Sequence, residues 1–341
     1  MIKVFLYGGE GIGSSIDDDM VYLKNMLATR ENIKLVKAPL FADIVHIVWW
    51  NQFKKIKNFK RISTAKWIAV ASNEIQDNNK DFVEAENIVD YWISYNKKQH
   101  EWFLNKSLKS FLMPLYVDKN IFYSNENSKV EMANSLGIDI NLIQNRKLIG
   151  SFQRDSNGSN LFLPKWQKNP ELLVDILIAL RDRVGDKNWC LILAGPRRHW
   201  ILNSCVENKI PFVYVGKPPK DNEDDVSLNT LNKDIMRKLY NLIDIYIISS
   251  KSEGGPKAAI EAPLCKTLTI STRVGMSPDL LNKDCIFNSI DEAVFLLESL
   301  IKDDLNVNKV IKENYKKISK ICSKSNRSQL LEEVYHYISK K

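Results

Sequence analysis

Short apolar runs rich in β-branched residues alternate along the chain with longer segments of helical spacing. Nine such runs predict strands: Ile2–Tyr7, Ile44–Trp49, Trp67–Ala71, Tyr91–Ser94, Leu148–Phe152, Cys190–Ala194, Phe212–Val215, Ile245–Ile248 and Leu268–Ser271. Between them, segments such as Glu171–Arg183 and Ile235–Ile243 have the apolar period of a helix. Continuous apolar strands separated by helices predict parallel sheets that helices cover on both faces.

The alternation pauses once, over roughly 119–146, where Asn, Ser and charged residues surround one helix-like piece, Val130–Leu136. A chain of 341 residues is long enough for two cores. We therefore predict one α/β domain over 1–122 and a second over 123–322. The basic tail after Lys309 keeps a helical period, and 323–341 is expected to form a helix that packs back on the first domain.

The net charge of +8 and the isoelectric point near 9.0 call for an anionic partner or a well-solvated surface. The densest basic stretch, 54–66, contains no acidic residue. Two interpretations stay open for it: a solvated face, or peripheral contact with an anionic membrane or a charged acceptor. Nucleic acid is not expected, because no binding motif accompanies the charge.

The start of the chain and its cysteines indicate the compartment. The opening run is short and leads into glycines, which predicts a first strand rather than a signal peptide, and no apolar stretch is long enough to span a membrane. Five widely spaced cysteines are typical of reduced thiols. We expect a cytoplasmic protein, with membrane contact at the inner face as the alternative.

The segment after the strand Ile245–Ile248 contains the most informative chemistry. A polar loop delivers Glu253, Gly254 and Gly255, and Pro256 stands where a proline can begin a helix. Glycines permit close backbone approach to a ligand, and a helix start at a strand's carboxyl end suits an anion such as a diphosphate. Glu261 follows on the helix, and two carboxylates suit hydroxyl recognition. The alternative is an ordinary surface loop before a short helix.

The spacing Glu253-x7-Glu261 resembles the E-x7-E motif of the family-4 retaining glycosyltransferases, which have the GT-B fold. Tyr240 and Asp244 before the strand match as well. The resemblance implies two Rossmann-like, doubly wound parallel-sheet domains that face a central cleft. It implies that Glu253 and the backbone from Gly254 through Lys257 hold the donor sugar and its phosphates, and that Glu261 holds the ribose.

A second segment resembles the family's basic loop. Leu148–Arg154 leads from a strand into a loop, and Lys165 and Lys168 precede the next helix. By resemblance, Arg154 and Lys168 neutralise the leaving diphosphate. The family usually has lysine-glycine where this chain has Lys168-Asn169, and the intervening loop is longer, so Lys165 stays open as a substitute for Lys168.

Two glycine turns complete the expected donor site. Gly195, with Arg197 or Arg198 after it, resembles the turn near the nucleotide base, and we assign Arg197. Gly9 and Gly11, after the first strand, resemble the loop that approaches the phosphates, although the spacing to the next helix departs from the family pattern. Where many members have a histidine after Trp67–Ala71, this chain has Ser72-Asn73-Glu74, and His46 is interpreted as a packed strand residue.

No metal or other cofactor is expected. Asp17-Asp18-Asp19 contains the Asp-x-Asp pattern of metal-dependent glycosyltransferases, but after Ser14-Ser15 it is better explained as acids in a helix's first turn. The four histidines show no ligand spacing.

The resemblance implies a nucleotide-sugar-dependent glycosyltransferase that transfers a sugar to a glycan, lipid-linked or other hydroxyl acceptor with retention. Synthesis of bacterial surface polysaccharide or glycoconjugate is the setting we expect. Two alternatives stay open: a GT-B nucleotide-sugar epimerase or hydrolase, and a nucleotide- or glycan-binding protein without activity.

Overall fold

The computed structural model describes residues 1–11, 15–77, 79–220, 223–302 and 305–341. The chain folds into two compact units. The first unit comprises Met1–Asp118, Glu253–Gly255 and Lys320–Lys341, and the second comprises Lys119–Ser252 and Pro256–Ser319.

Each unit is built on a parallel sheet of six strands. The strands of the first sheet are β1 (Ile2–Tyr7), β2 (Ile33–Leu35), β3 (Ile44–Ile47), β4 (Lys66–Ala71), β5 (Tyr91–Ser94) and β6 (Ser110–Leu112). Those of the second sheet are β7 (Lys147–Ser151), β10 (Trp189–Ala194), β11 (Phe212–Val215), β12 (Ile245–Ile248), β13 (Leu268–Thr272) and β14 (Ile286–Phe287). A separate antiparallel ribbon pairs β8 (Ser156–Asn157) with β9 (Asn160–Pro164).

Within the described residues, fourteen α-helices connect the strands. They are α1 (Ser15–Leu27), α2 (Phe53–Ile56), α3 (Lys80–Glu86), α4 (Lys97–Asn105), α5 (Lys129–Ser135), α6 (Pro170–Val184), α7 (His199–Glu207), α8 (Val226–Asn229), α9 (Lys233–Leu242), α10 (Ala258–Leu264), α11 (Ser277–Leu280), α12 (Ile290–Ile301), α13 (Leu305–Ile321) and α14 (Lys324–Ser339). The local sequence sets their limits. Helix α6, for example, has Pro170 in its first turn, and Gly185, with a φ of +78°, caps its C-terminus.

The strand orders place a switch point in each sheet. The first sheet has the order β2-β1-β3-β4-β5-β6, and the second has β11-β10-β7-β12-β13-β14. In an order of this kind the chain winds outward in both directions from one central pair of strands. That pair is β1 and β3 in the first sheet and β7 and β12 in the second.

The prediction of two Rossmann-like parallel-sheet domains is confirmed. All nine predicted strands are present, because runs of wholly buried residues such as β10 and β12 form the centres of the sheets. All five cysteines are free and buried. Among the described residues, no helix has the length and apolar character that crossing a membrane requires.

The C-terminal helix α14 belongs to the first unit and packs on β1, β3 and α1. Its buried residues include Tyr335, whose hydroxyl lies 2.6 Å from Nδ1 of His46 on β3. Burial lowers the pKa of His46 to about 3, so the imidazole is neutral near pH 7. His46 is therefore a packed strand residue, in agreement with the interpretation of the sequence.

The basic stretch 54–66 is largely paired within the first unit. Lys54 contacts Asp81, Lys57 contacts Glu84, and Lys60 contacts Asp90, each with a nitrogen–oxygen distance of 2.5 Å. Carboxylates that are distant in sequence thus neutralise three of its cations. The stretch contributes less positive charge to the surface than its sequence indicates, and its contact with membrane stays a prediction.

Candidate functional site

The carboxyl edge of the second sheet brings together the loops that follow β7 and β12. Gln153, after β7, donates from Nε2 to the carbonyl oxygen of Lys168 at 3.1 Å and to the hydroxyl of Ser249, after β12, at 3.2 Å. The Ser249 hydroxyl also donates to the Lys168 carbonyl at 3.1 Å, and that of Ser250 donates to Oε1 of Gln153 at 3.3 Å. The backbones that carry Arg154 and Lys168 are therefore fixed beside each other at the switch point.

The turn before α6 is tightly held. Backbone bonds run from Lys168 and Asn169 to the carbonyl of Lys165, at 2.9 and 3.1 Å, and the nitrogen of Lys165 donates to the Asp155 carbonyl at 2.6 Å. Asn169 has a φ of +48° at this turn. Asparagine tolerates this left-handed conformation better than most residues, which explains how the chain keeps the turn without glycine.

A buried ion pair supports the Arg154 loop. Arg198 and Asp155 are 0% and 1% exposed, and Nη1 of Arg198 lies 3.0 Å from Oδ1 of Asp155. The same guanidinium donates to the carbonyl of Gln153 and, at 3.2 Å, to the hydroxyl of Ser151. Arg198 therefore contacts Ser151, Gln153 and Asp155, and it holds the backbone on both sides of Arg154. The sequence left Arg198 open as a residue near the nucleotide base and did not predict this ion pair, because nothing local indicates that a charge is buried.

Arg197, the neighbouring arginine, has a φ of +57° and different partners. Its Nε and Nη2 donate to the two carboxylate oxygens of Asp224 at 2.9 and 2.6 Å, and its backbone nitrogen donates to Asp225 at 2.7 Å. A contact of Arg197 with a nucleotide would compete with this ion pair. Its assignment to the donor site stays a prediction, as does that of Gly195, which adopts a φ of +90° at the turn.

Glu261 is oriented by a buried tyrosine. The hydroxyl of Tyr240 donates to Oε2 of Glu261 at 2.9 Å. Burial, and secondly the Glu261 carboxylate, raise the pKa of Tyr240 well above its ordinary value, so the hydroxyl retains the proton that it donates. The hydrogen bond fixes one carboxylate oxygen and thereby sets the direction in which the other is presented.

The helix after the glycines begins later than the sequence predicts. Helix α10 starts at Ala258 with Lys257 as its N-cap, so Pro256 precedes the cap and is not the first helical residue. The Pro256 carbonyl accepts from the nitrogen of Ala259 at 3.0 Å, a tighter turn than the helical one. The first helical bond, from the nitrogen of Glu261 to the carbonyl of Lys257, measures 2.9 Å, which places Glu261 in the first turn.

Glu253, Gly254 and Gly255 group with the first unit. Nδ2 of Asn96 donates to the carbonyl of Gly254 at 2.8 Å, and a Cβ at Gly254 would lie 2.5 Å from the carbonyl oxygen of Ser72. Only glycine fits there. Sequence analysis assigned Gly254 to a ligand, and the structure shows that close approach of the backbone at Ser72 already requires it.

In the first unit, the glycine loop is capped by a carboxylate. Oδ1 of Asp17 accepts from the nitrogens of Glu10 and Gly11 at 2.6 and 2.8 Å, and a Cβ at Gly9 would lie 3.2 Å from the same oxygen. Asp17 and Asp18 lie in the first turn of α1, as predicted. Ser14, which precedes these acidic residues, lies outside the described residues. An anion that approached the Gly11 amide would compete with Asp17.

A cavity of 1010 Å³ in the second unit lies at the opposite edge of the sheet, where Lys147 and Asn188 mark the amino ends of β7 and β10. Carboxylates pair several of its cations: Lys129 lies 2.6 Å from Asp244, and Arg183 lies 2.6 Å from Glu298. We do not assign it to the donor, because ligands of open parallel sheets bind at the carboxyl ends.

Solved structures share the fold over most of the chain. HepE from Anabaena, in complex with UDP-glucose, superposes with a TM-score of 0.73 at 12% identity, covering 99% of this chain and 100% of that one. A trehalose-6-phosphate protein from E. coli, bound with UDP-2-fluoro glucose, gives 0.65 at 11% identity over 94% and 76%. Sucrose-phosphate synthase from Thermosynechococcus elongatus gives 0.64 at 12% over 87% and 74%.

The chain has the GT-B fold. The solved structures with this fold include glycosyltransferases of several kinds. At this low identity the likeness establishes the GT-B fold and no finer property. No protein-family model and no curated protein matches the sequence.

Proposed function

We propose that the chain is a retaining glycosyltransferase of the family-4 type, with a nucleoside-diphosphate sugar as donor. The proposal is supported by the position of the loops that carry Arg154 and Lys168. Arg154 follows β7 and Ser249 follows β12, the two strands that flank the switch point of the second sheet, and Gln153 hydrogen-bonds to both Ser249 and Lys168. This is where open α/β sheets bind nucleotides. Complexes of GT-B structures with UDP-glucose and UDP-2-fluoro glucose support this choice of ligand.

Each residue then has a separable role. Arg154 and Lys168 meet the negative charge that grows on the diphosphate as the glycosidic bond breaks. Glu253, with the backbone of Gly254 to Lys257, holds the donor sugar and phosphates. Glu261, oriented by Tyr240, accepts from ribose hydroxyls. Fixed charges of this kind supply much of the barrier reduction, because they are aimed at charge that develops in the transition state.

The acceptor is a hydroxyl of a glycan or of a lipid-linked sugar, and the setting is cytoplasmic synthesis of surface polysaccharide or glycoconjugate. Attack on the same face as the departing diphosphate gives retention, and the diphosphate takes the acceptor's proton. No cofactor besides the donor enters this proposal.

Binding of the nucleotide is tested by thermal melting. If the site accepts one base, a single nucleoside diphosphate at a hundredfold excess over its dissociation constant stabilises the protein by about 2.7 kcal/mol. That raises the melting temperature by several degrees. UDP is the first candidate, with ADP, GDP and CDP as comparisons. Glu261→Ala serves as the matched variant and should reduce the shift. Equal shifts with all four, or none with any, would count against a specific nucleotide site.

A further inference from the structure

A row of lysines covers one face of α13. Lys309, Lys312 and Lys316 are spaced by three and four residues, so they share a face, and Lys317 stands beside them. All four are exposed. We call these four residues the α13 lysine face. Ile318 and Asn314 are buried on the other side of the helix, so the lysines point away from the core.

The lysine face carries an excess of positive charge. Across the described ranges, which omit 303 and 304 just before α13, no ion pair joins any of these four lysines to a carboxylate. The acid on this part of the helix, Glu313, accepts from Nδ2 of Asn282 at 2.7 Å. Lysines 54, 57 and 60 differ, since each of them contacts a carboxylate.

The helix is fixed in place, which makes its face a persistent surface. Asn314 accepts from the backbone nitrogen of Asn282 at 2.7 Å and contacts Sγ of Cys285 at 3.5 Å. Tyr315, three residues after Lys312, is 37% exposed, and Nζ of Lys266 lies 5.6 Å from the centre of its ring. A half-exposed tyrosine among lysines suits the boundary between water and lipid head groups.

We propose that the α13 lysine face docks on an anionic membrane surface. Rows of lysines are attracted by the negative potential of acidic phospholipids, at short range and in competition with salt. The proposal goes beyond sugar transfer and does not depend on it. It assigns the membrane contact to the α13 lysine face instead of the stretch 54–66, where carboxylates pair three of the lysines.

Two triple variants with equal loss of charge test the proposal. Lys309→Gln/Lys312→Gln/Lys316→Gln neutralises three of the four lysines of the α13 lysine face, and Lys54→Gln/Lys57→Gln/Lys60→Gln removes the same charge from paired positions. The full-length protein is sedimented with vesicles of phosphatidylglycerol and phosphatidylcholine in equal parts, and with phosphatidylcholine alone. Both variants are first checked for unchanged melting, which separates docking from folding.

The wild-type protein is expected to bind the anionic vesicles at about 50 mM salt and to be released at about 300 mM. The α13 variant should lose roughly a hundredfold in partitioning, whereas the control should lose about threefold or less. Equal losses in both variants would show a response to net charge and overturn the proposal. So would absence of binding to anionic vesicles, or binding of an RNA oligonucleotide by this face instead.

Discussion

Replacing Arg154 with alanine is expected to lower kcat for donor cleavage by roughly a hundred- to a thousandfold, or about 2.7–4 kcal/mol of transition-state stabilisation. Arg154 follows β7, and in the proposed mechanism its guanidinium meets the charge that is greatest as the diphosphate departs. The KM for the donor should change less than kcat, since the interaction is stronger in the transition state than in the ground state. Lys168→Ala should act in the same direction.

Three other variants serve as comparisons for Arg154→Ala. Glu261→Ala removes the proposed ribose contact, which would be present in both states, so it should mainly raise the KM for the donor. Lys165→Ala compared with Lys168→Ala decides which of the two lysines faces the diphosphate. Lys147→Ala removes a cation from the other end of β7 and should leave kcat unchanged. Intact turnover in Arg154→Ala, with loss in Glu261→Ala at saturating donor, would reverse our assignment of roles.

Replacing Arg198 with methionine is expected to destabilise the protein by about 3–5 kcal/mol, because it leaves the carboxyl of Asp155 buried without its partner. Burial raises the pKa of Asp155 to about 7, while Arg198 opposes the rise. Between the ordinary value of 3.8 and about 7 the folded state therefore holds a proton that the unfolded state has lost. The free energy of unfolding consequently falls as pH rises through this window.

The Arg198→Met variant should extend that pH dependence. Without the guanidinium the pKa of Asp155 rises further, so the loss of stability relative to wild type is larger at about pH 8 than at about pH 5. Chemical unfolding at both values measures this difference. Arg198→Met/Asp155→Leu is the matched control, and it should recover part of the loss because no charge is then buried alone. Equal destabilisation at both pH values, without recovery, would contradict a charged pair at this place.

The centres of both sheets and the edge strand β11 could be predicted from the sequence, whereas the other three edge strands could not. Strands such as β10 and β12 are buried on both faces and form unbroken apolar runs. The missed strands β2, β6 and β14 have only two or three residues each. A segment of two or three residues is too short to show an alternation of apolar and polar positions. It forms a strand only because the adjacent strand of the sheet supplies backbone hydrogen-bond partners.

The loops of the candidate site could be predicted from the sequence, because the residue types that mark them follow the strands directly. Glycines and charged residues after β7 and β12 indicated the loops, because the carboxyl ends of parallel strands meet at one edge. The roles of Arg197 and Arg198 were not predictable, since two adjacent arginines look alike in sequence. They differ because the chain turns at Arg197, which pairs with Asp224, whereas Arg198 is enclosed with Asp155.

Cleavage of a nucleotide sugar tests the central claim most directly. The purified protein is incubated with each common nucleotide sugar, and release of the nucleoside diphosphate is followed with and without a glycan or lipid-linked acceptor. Our account predicts slow hydrolysis of one donor, faster release when an acceptor receives the sugar, and loss of both in Arg154→Ala. Release that Arg154→Ala leaves unchanged, or the absence of any donor that is bound or cleaved, would contradict it.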